Sequence, residues 1–493
     1  MAIHVLNPQS WVSLGRGPLN IRAIGGPARV LAASAPPDAS ITSGTSTGDY
    51  APAGDVLTLR ASASIYAIAA SSTLTEIYAE PSSGGSADIY GTLRRLADRA
   101  ATGAANPHFI DPATGLPQLM TNPPTVTTTA SLFANQAAVV AAGYSKLFAA
   151  IVGGNANPVY YCAGGWPHIN ASVYLNLPSA TTWSTGNGNA GNNPPLQALA
   201  PRVKFMTDSP KFVLGVTGTY RLIVNGRYVS LAAYAPSGTT PSYSLVDLTA
   251  VGGREVRQIE IEMITATTFY GAWVGPTETI WAPPSRDNLR WIQMGDSLTQ
   301  SSGNGVVVGD GYSEVMADYL GISDYRAAGI GGTGYYANNG GVNYRLQEHM
   351  FDVVNYNPDV ISLAAGVNDQ ASAFSLAQPG LASCIAQARA YSATIPIFVT
   401  GVLMSSAVAT AVTWETAQAA YIASLNDPNI IFIPIITDPN GPWITGTGNS
   451  AAPIGDGNRD YYWDNSGAHP PTIGHQYLGL RYAAAIGSAI AGR

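Results

Sequence analysis

Charge is scarce in this 493-residue chain: Asp, Glu, Lys and Arg together make up only 11% of it, against ~25% in ordinary soluble proteins. Its surface is therefore expected to be polar without being ionic. The 23 basic and 30 acidic side chains leave a formal charge of -7 with no long basic run, so the electrostatic footprint of a nucleic-acid partner is missing. Cysteine is nearly absent as well. Cys162 and Cys384 fall in segments of different character, so neither a disulfide framework nor a thiolate cluster is expected, and both read as buried free thiols. No stretch approaches the ~18 continuous apolar residues of a membrane span. The start, Met1-Ala2-Ile3-His4-Val5-Leu6-Asn7-Pro8, has neither a basic n-region nor an apolar h-region. The expectation is a soluble chain without membrane insertion and without a Sec signal.

What is present is a change of grammar along the chain. Residues 1–80 read as a small all-β module, with runs such as Val56-Leu57-Thr58-Leu59 and Ile65-Tyr66-Ala67-Ile68 between Gly, Pro and Asp turns. Residues 81–125 read as a helical linker, because Ile89, Leu93 and Leu96 recur at helical spacing before an Asn/Pro-rich stretch. Residues 126–285 return to alternating strands, such as Lys211 to Val216, Tyr220 to Val224 and Val256 to Met263, and predict a β-sandwich. From 286 to 493 short apolar strands alternate with helical stretches, as a parallel α/β sheet requires. Strands are predicted at Leu289 to Met294, Val360 to Ala364, Ile397 to Val402 and Ile430 to Ile435. Helices are predicted at Tyr312 to Leu320, Val342 to Tyr356, Leu381 to Tyr391, Trp414 to Leu425 and Gly474 to Ile490.

Within that last segment four elements occur in order. Ser297, in Gly295-Asp296-Ser297-Leu298-Thr299, follows the first strand, where a turn can present its hydroxyl at the carboxyl edge of the sheet. Gly329-Ile330-Gly331-Gly332-Thr333-Gly334 follows a second strand, Gly366-Val367-Asn368-Asp369 a third, and His469-Pro470 precedes the last helix. A serine hydroxyl becomes a useful nucleophile only with a base to take its proton and donors to hold the oxyanion, and this set offers all three.

In these four blocks residues 286–493 resemble the SGNH (GDSL) hydrolases. The resemblance implies a three-layer, flavodoxin-like α/β domain and a carboxylic ester hydrolase with Ser297 as nucleophile and His469 as general base. It also implies an oxyanion hole made by the amides of Ser297 and Gly332 and the side chain of Asn368. No cofactor or metal is implied. The chain departs from the family at the acid, whose usual place three residues before the histidine holds Ser466. Asp464, five residues back, is the favoured orienter of the imidazole. A Ser-His dyad steadied by Ser466 or a backbone carbonyl is the rival.

Blander readings compete. Asn368 could cap a loop and Asp369 support one, Gly331 or Gly329 could replace Gly332 as donor, and His475 could replace His469. Asp456, Asn458 and Asp460 imitate a calcium loop, but Tyr461 stands where its glycine is needed and Gly467 where its glutamate is needed. Gly44 to Gly48 imitates a nucleophile elbow and reads as a turn. Gly186 to Gly191 imitates a dinucleotide loop but runs into Asn-Asn-Pro-Pro. Gly329 to Gly334 also spells a dinucleotide loop, with Glu348 downstream, which makes a nucleotide-binding protein the lesser alternative.

A weaker resemblance, around Phe269-Tyr270-Gly271 and Ile280-Trp281-Ala282-Pro283, links residues 201–285 to the jelly-roll-like module that precedes some carbohydrate-active SGNH esterases. It implies an O-acetylated polysaccharide as substrate, with nine tryptophans and 26 tyrosines available to stack on sugar rings. The β-rich start and low charge resemble a bacteriophage tail or tailspike protein acting on a host surface glycan. That setting implies other virion tail proteins as partners, a trimer, and a virion or extracellular location. The alternative is a structural or receptor-binding virion protein whose esterase fold is inactive.

Overall fold

A five-stranded parallel sheet whose residues are mostly buried organises the C-terminal half. The structure is a computed structural model. It describes residues 89–102, 117–129, 132–164, 168–170, 174–177, 200–236, 241–265, 267–283, 289–307, 309–322, 324–339, 345–464, 467–491 and 493, and before residue 89 only the strands. The chain divides into two units, residues 1–92 with 284–288, and residues 93–283 with 289–493. The first unit contains two four-stranded antiparallel sheets, ordered Ala2–Leu6, Thr75–Pro81, Leu19–Ile24, Val56–Leu59 and Val12–Arg16, Ser64–Ala69, Ala28–Ala33, Asp49–Ala51.

The second unit begins with antiparallel sheets that share one core. Arg202–Thr207, Arg257–Met263 and Tyr220–Val224 lie side by side in one sheet, and Thr267–Val274, Lys211–Thr217 and Ser242–Asp247 in the other. Side chains alternate across a strand, so Val203, Phe205, Leu222, Ile259 and Ile261 of the first sheet meet Phe212, Leu214, Val216, Phe269 and Ala272 of the second. The opposite face of the first sheet carries Arg202, Lys204, Arg221, Glu260 and Glu262, yet all five are buried. The helix Ile89–Thr102 buries Leu93, Leu96 and Ala100. Tyr319 Oη donates to the Ala100 carbonyl at 3.4 Å, so the end of this helix, within the second unit, lies against the C-terminal domain.

In that domain β1 (Arg290–Gly295), β2 (Asp324–Gly329), β3 (Val360–Ala364), β4 (Ile397–Thr400) and β5 (Ile430–Ile433) are all parallel and ordered β2-β1-β3-β4-β5. The connecting helices are α1 (Tyr312–Leu320), α2 (Met350–Asn355), α3 (Phe374–Tyr391), α4 (Ala409–Ser424), α5 (Arg459–Tyr462) and α6 (Thr472–Ile490). Ile292 and Met294 pack with residues of α2, α3 and α4. On the other face Gln293 Nε2 donates to Tyr312 Oη of α1, and Tyr482 Oη of α6 to Ser362 Oγ. The sheet is therefore the middle of three layers. Its order reverses at β1, and the crevice outside the carboxyl ends of β1, β2 and β3 is where such sheets bind ligands.

Three helices differ from expectation, of which α4, predicted from Trp414, begins at Ala409. The segment predicted as one helix, Val342 to Tyr356, is a short 3-10 turn, Leu346–Glu348, followed by α2, because His349 between them has non-helical backbone angles (φ -109°, ψ 0°). The helix predicted from Leu381 begins instead at Phe374 and runs through Pro379. Proline costs that helix a hydrogen bond, but the added turns bury Phe374 and Ala377 on the stripe continued by Leu381, Cys384 and Ala388. Cys162 and Cys384 are free. No helix among the described residues is long and apolar enough to cross a membrane.

Candidate active site

The carboxyl end of β1 turns sharply because Asp296 folds back on its own chain: its Oδ1 accepts from Leu298 N at 2.9 Å, and its carbonyl from Gln300 N at 3.0 Å. This turn leaves Ser297 half-buried at the edge of the sheet. Thr299 is pinned from below, with its Oγ1 3.2 Å from Tyr312 Oη. Ser302 N closes the loop by donating to the Ser297 carbonyl at 3.0 Å.

His469 enters from the segment before α6, and its Nε2 lies 2.8 Å from Ser297 Oγ. Burial holds its imidazole below the ordinary histidine pKa, so the neutral form, the one able to accept a proton, persists to lower pH than in free solution. Activity that needs neutral His469 therefore falls only as pH drops through this lowered value. We expect the acid limb of kcat/KM to lie below about pH 6.5; a pH–rate profile with its limb above that value contradicts the assignment.

The loop after β2 reaches Ser297: a side chain at Gly331 would come within 3.8 Å of Ser297 Cβ. Gly332 has φ +73°, a left-handed conformation that favours glycine. Asn368, after β3, is exposed, and its Nδ2 donates to the Thr333 carbonyl at 2.8 Å. One of its two amide hydrogens thus anchors it to the glycine loop, which leaves the other for a ligand. Asp369 has a different task. Its carboxylate accepts from Tyr335, Tyr336 and Ala337 N at 2.8, 3.1 and 2.8 Å, and a Cβ on Gly334 would run into it. A bridge between Thr333 and Asn338 stands where a dinucleotide-binding helix would begin.

His475 is wholly buried in α6. Its Nδ1 accepts from Tyr312 N at 3.1 Å and its Nε2 faces the Ser302 carbonyl at 3.0 Å, which fixes a neutral Nε2–H tautomer. Burial pushes its pKa down to about 4. It staples the start of α1 to the end of the Ser297 loop and does not face the Ser297 hydroxyl as His469 does. Asp464 is buried, and Trp463 Nε1 donates to the Gly467 carbonyl at 2.9 Å across the same loop. Ser466 lies outside the described residues, as do the Gly44–Gly48 and Gly186–Gly191 runs. Burial, together with the nearby Asp369 charge, pushes Asp296 up to about 7, against the pull of the Leu298 amide.

Each side chain of the calcium-loop look-alike bonds to the chain nearby. Asp456 accepts from Thr447 N and Oγ1, Asn458 from Thr445 N, and Asp460 from Ile454 and Gly455 N. One heavily bonded carboxylate belongs to none of the sequence motifs: buried Glu415 accepts from Val402, Ile435, Ile436 and Thr437 N and from Thr437 Oγ1. Its signal was available, since it is the only charged residue in α4.

A serine on a tight turn after β1, a histidine at hydrogen-bond distance, and glycine and asparagine loops from β2 and β3 define a hydrolase site of the serine type. Residues 294–477 match the GDSL-like lipase/acylhydrolase family model, and the C-terminal domain is a GDSL-like hydrolase domain. No curated protein matches the chain. Among solved structures, the chain is similar to a family two carbohydrate esterase from Cellvibrio japonicus, at 14% identity over 69% of this chain and 98% of that one, with a TM-score of 0.47. It is also similar to the salicylyl-acyltransferase SsfX3 of a tetracycline biosynthetic pathway (14%, 68% and 95%, TM-score 0.49). A third is an acetyl xylan esterase from Butyrivibrio proteoclasticus (12%, 69% and 97%, TM-score 0.45). Identities this low carry no substrate over to this chain.

Proposed function

We propose that residues 286–493 hydrolyse O-acetyl esters of a polysaccharide through an acyl-enzyme on Ser297. The observation that carries the reading is the 2.8 Å contact between His469 Nε2 and Ser297 Oγ at the crevice lined by the glycine and asparagine loops. As Ser297 Oγ attacks the acetyl carbonyl, its proton passes to His469 Nε2 and the new Oγ–C bond forms. The Ser297 and Gly332 amides and the Asn368 side chain receive the oxyanion. Collapse breaks the bond to the sugar oxygen, which takes the proton from His469. Water, activated by the same histidine, then releases acetate and restores the serine. Carbohydrate as the alcohol is supported by the resemblance of residues 201–285 to modules of carbohydrate-active esterases, and by exposed aromatic rings at Tyr336 and Tyr461 suited to stacking on sugars.

Acetate release from short acyl esters and from acetylated polysaccharides tests this. Wild type should exceed Ser297→Ala on both. Equal, near-background rates on both would support a receptor-binding protein with an inactive esterase fold, and activity on short esters alone would remove the polysaccharide. Asp464 is proposed as the group that orients His469. Asp464→Asn should then lower kcat by ~10³- to 10⁴-fold, and undiminished turnover would leave a Ser-His dyad. The setting we propose is a phage tail acting on a host glycan, as a trimer; a scattering mass of one chain would count against it.

A further inference from the structure

The first sheet of the sandwich buries a charged face, and two of its arginines end on the esterase domain. Arg221 Nη1 donates to Asp310 Oδ1 at 2.8 Å while its Nε donates to Glu262 Oε2 at 2.6 Å. Arg202 grips Asp318 with two parallel bonds of 2.6 and 2.7 Å and shares Glu262. Both guanidinium groups are nearly inaccessible. Asp310 immediately precedes Gly311, the N-cap of α1, and Asp318 lies in its last turn. A carboxylate at a helix C-terminus opposes the helix dipole, so a buried Asp318 makes physical sense only with Arg202 against it.

What lies between these two ends is the support of the active serine. Tyr312, the first residue of α1, meets Gln293 and Thr299 through its hydroxyl and His475 through its amide, and His475 in turn meets the Ser302 carbonyl. We infer that Arg202 and Arg221 are positioning residues for Ser297: the sandwich clamps both ends of α1, and α1 sets the nucleophile loop. The accessory domain is then part of the catalytic unit and not a detachable binding module. The inference rests on the reading of Ser297 as nucleophile for its kinetic arm only.

The test uses the full chain and four variants: Arg221→Met, Arg221→Lys, Asp310→Asn and Lys204→Met. Lys204 pairs with Glu260 within the same sheet at 3.1 Å and controls for a general weakening of the sandwich. Steady-state turnover of a short acyl ester and amide hydrogen exchange over residues 297–302 are read for each. Arg221→Met should lower kcat ~10- to 100-fold with KM within about twofold, since small displacements of a reacting group carry penalties of that size. Exchange over 297–302 should quicken. Arg221→Lys, which keeps the charge, should recover part of both, and Lys204→Met should lower the unfolding midpoint while leaving kcat and the loop unchanged. If Arg221→Met does not fold, Asp310→Asn supplies the same readouts from the esterase side. Wild-type kcat and wild-type exchange in Arg221→Met, or an equal loss in Lys204→Met, overturns the proposal. A wild type without turnover would sink the esterase reading while the exchange arm still decides this one.

Discussion

Replacing Ser297 by alanine is expected to lower kcat on an acyl ester by at least ~10⁴-fold with KM little changed, and His469→Ala is expected to do nearly the same. The reason is geometric. With Nε2 2.8 Å from Oγ, the two side chains act as one device: an alcohol without its base does not ionise, and a base without its alcohol has nothing to activate. Their losses should therefore not add, and the double variant should be no slower than the worse single one by more than about threefold. What remains should come from the oxyanion donors, so Asn368→Ala in the wild-type background should cost only ~10²- to 10³-fold. Steady-state kinetics of the four variants check the set. Losses for Ser297→Ala and His469→Ala that multiply in the double variant would mean that the contact seen between them is not the catalytic one.

Glu415→Ala should be the most destabilising of the single changes considered, by about 4 kcal/mol. The buried carboxylate gathers Val402 N at 2.6 Å, Ile435 N at 2.9 Å, Ile436 N at 3.2 Å, Thr437 N at 2.8 Å and the Thr437 hydroxyl at 2.7 Å. These amides belong to the loops that leave β4 and β5, which have no strand partner there. Alanine would leave four amides without an acceptor and open a hole beside them. Glu415→Gln keeps the shape but turns one acceptor into an NH₂ that faces donors, so an intermediate loss is expected. Urea unfolding followed by near-UV circular dichroism reads both. A loss below about 1 kcal/mol for Glu415→Ala would show that the loops find other partners.

The parts of the fold that could be read from the sequence were those written in local pattern. Val360 to Ala364, apolar apart from Ser362, forms β3 as predicted, because a strand buried on both faces needs no alternation. Tyr312 to Leu320 likewise forms α1. Ends were read less well where tertiary packing overrode a local signal: α3 ignores Pro379 because Phe374 and Ala377 gain a buried place. At the seam with the antiparallel sheets, alternation in Val256 to Met263 gives Glu260 and Glu262 the look of a solvated face. Both are buried beside cationic partners, Lys204 for one and Arg202 and Arg221 for the other, that lie more than 30 residues away. Sequence spacing holds no record of such pairs. The same limit applied to the two histidines near α6. Chain position alone could not separate them, whereas partners do: His475 is spent on Tyr312 and Ser302, and His469 faces Ser297.

The most direct test of the account is covalent trapping of the nucleophile in the full chain. Incubation with a fluorophosphonate should add a single adduct to the intact mass, peptide mapping should place it on Ser297, and neither Ser297→Ala nor wild type below the acid limb of His469 should take it up at the wild-type rate. An unmodified protein, or an adduct on another residue with Ser297 intact, would contradict the claim that Ser297 is the nucleophile of a serine hydrolase.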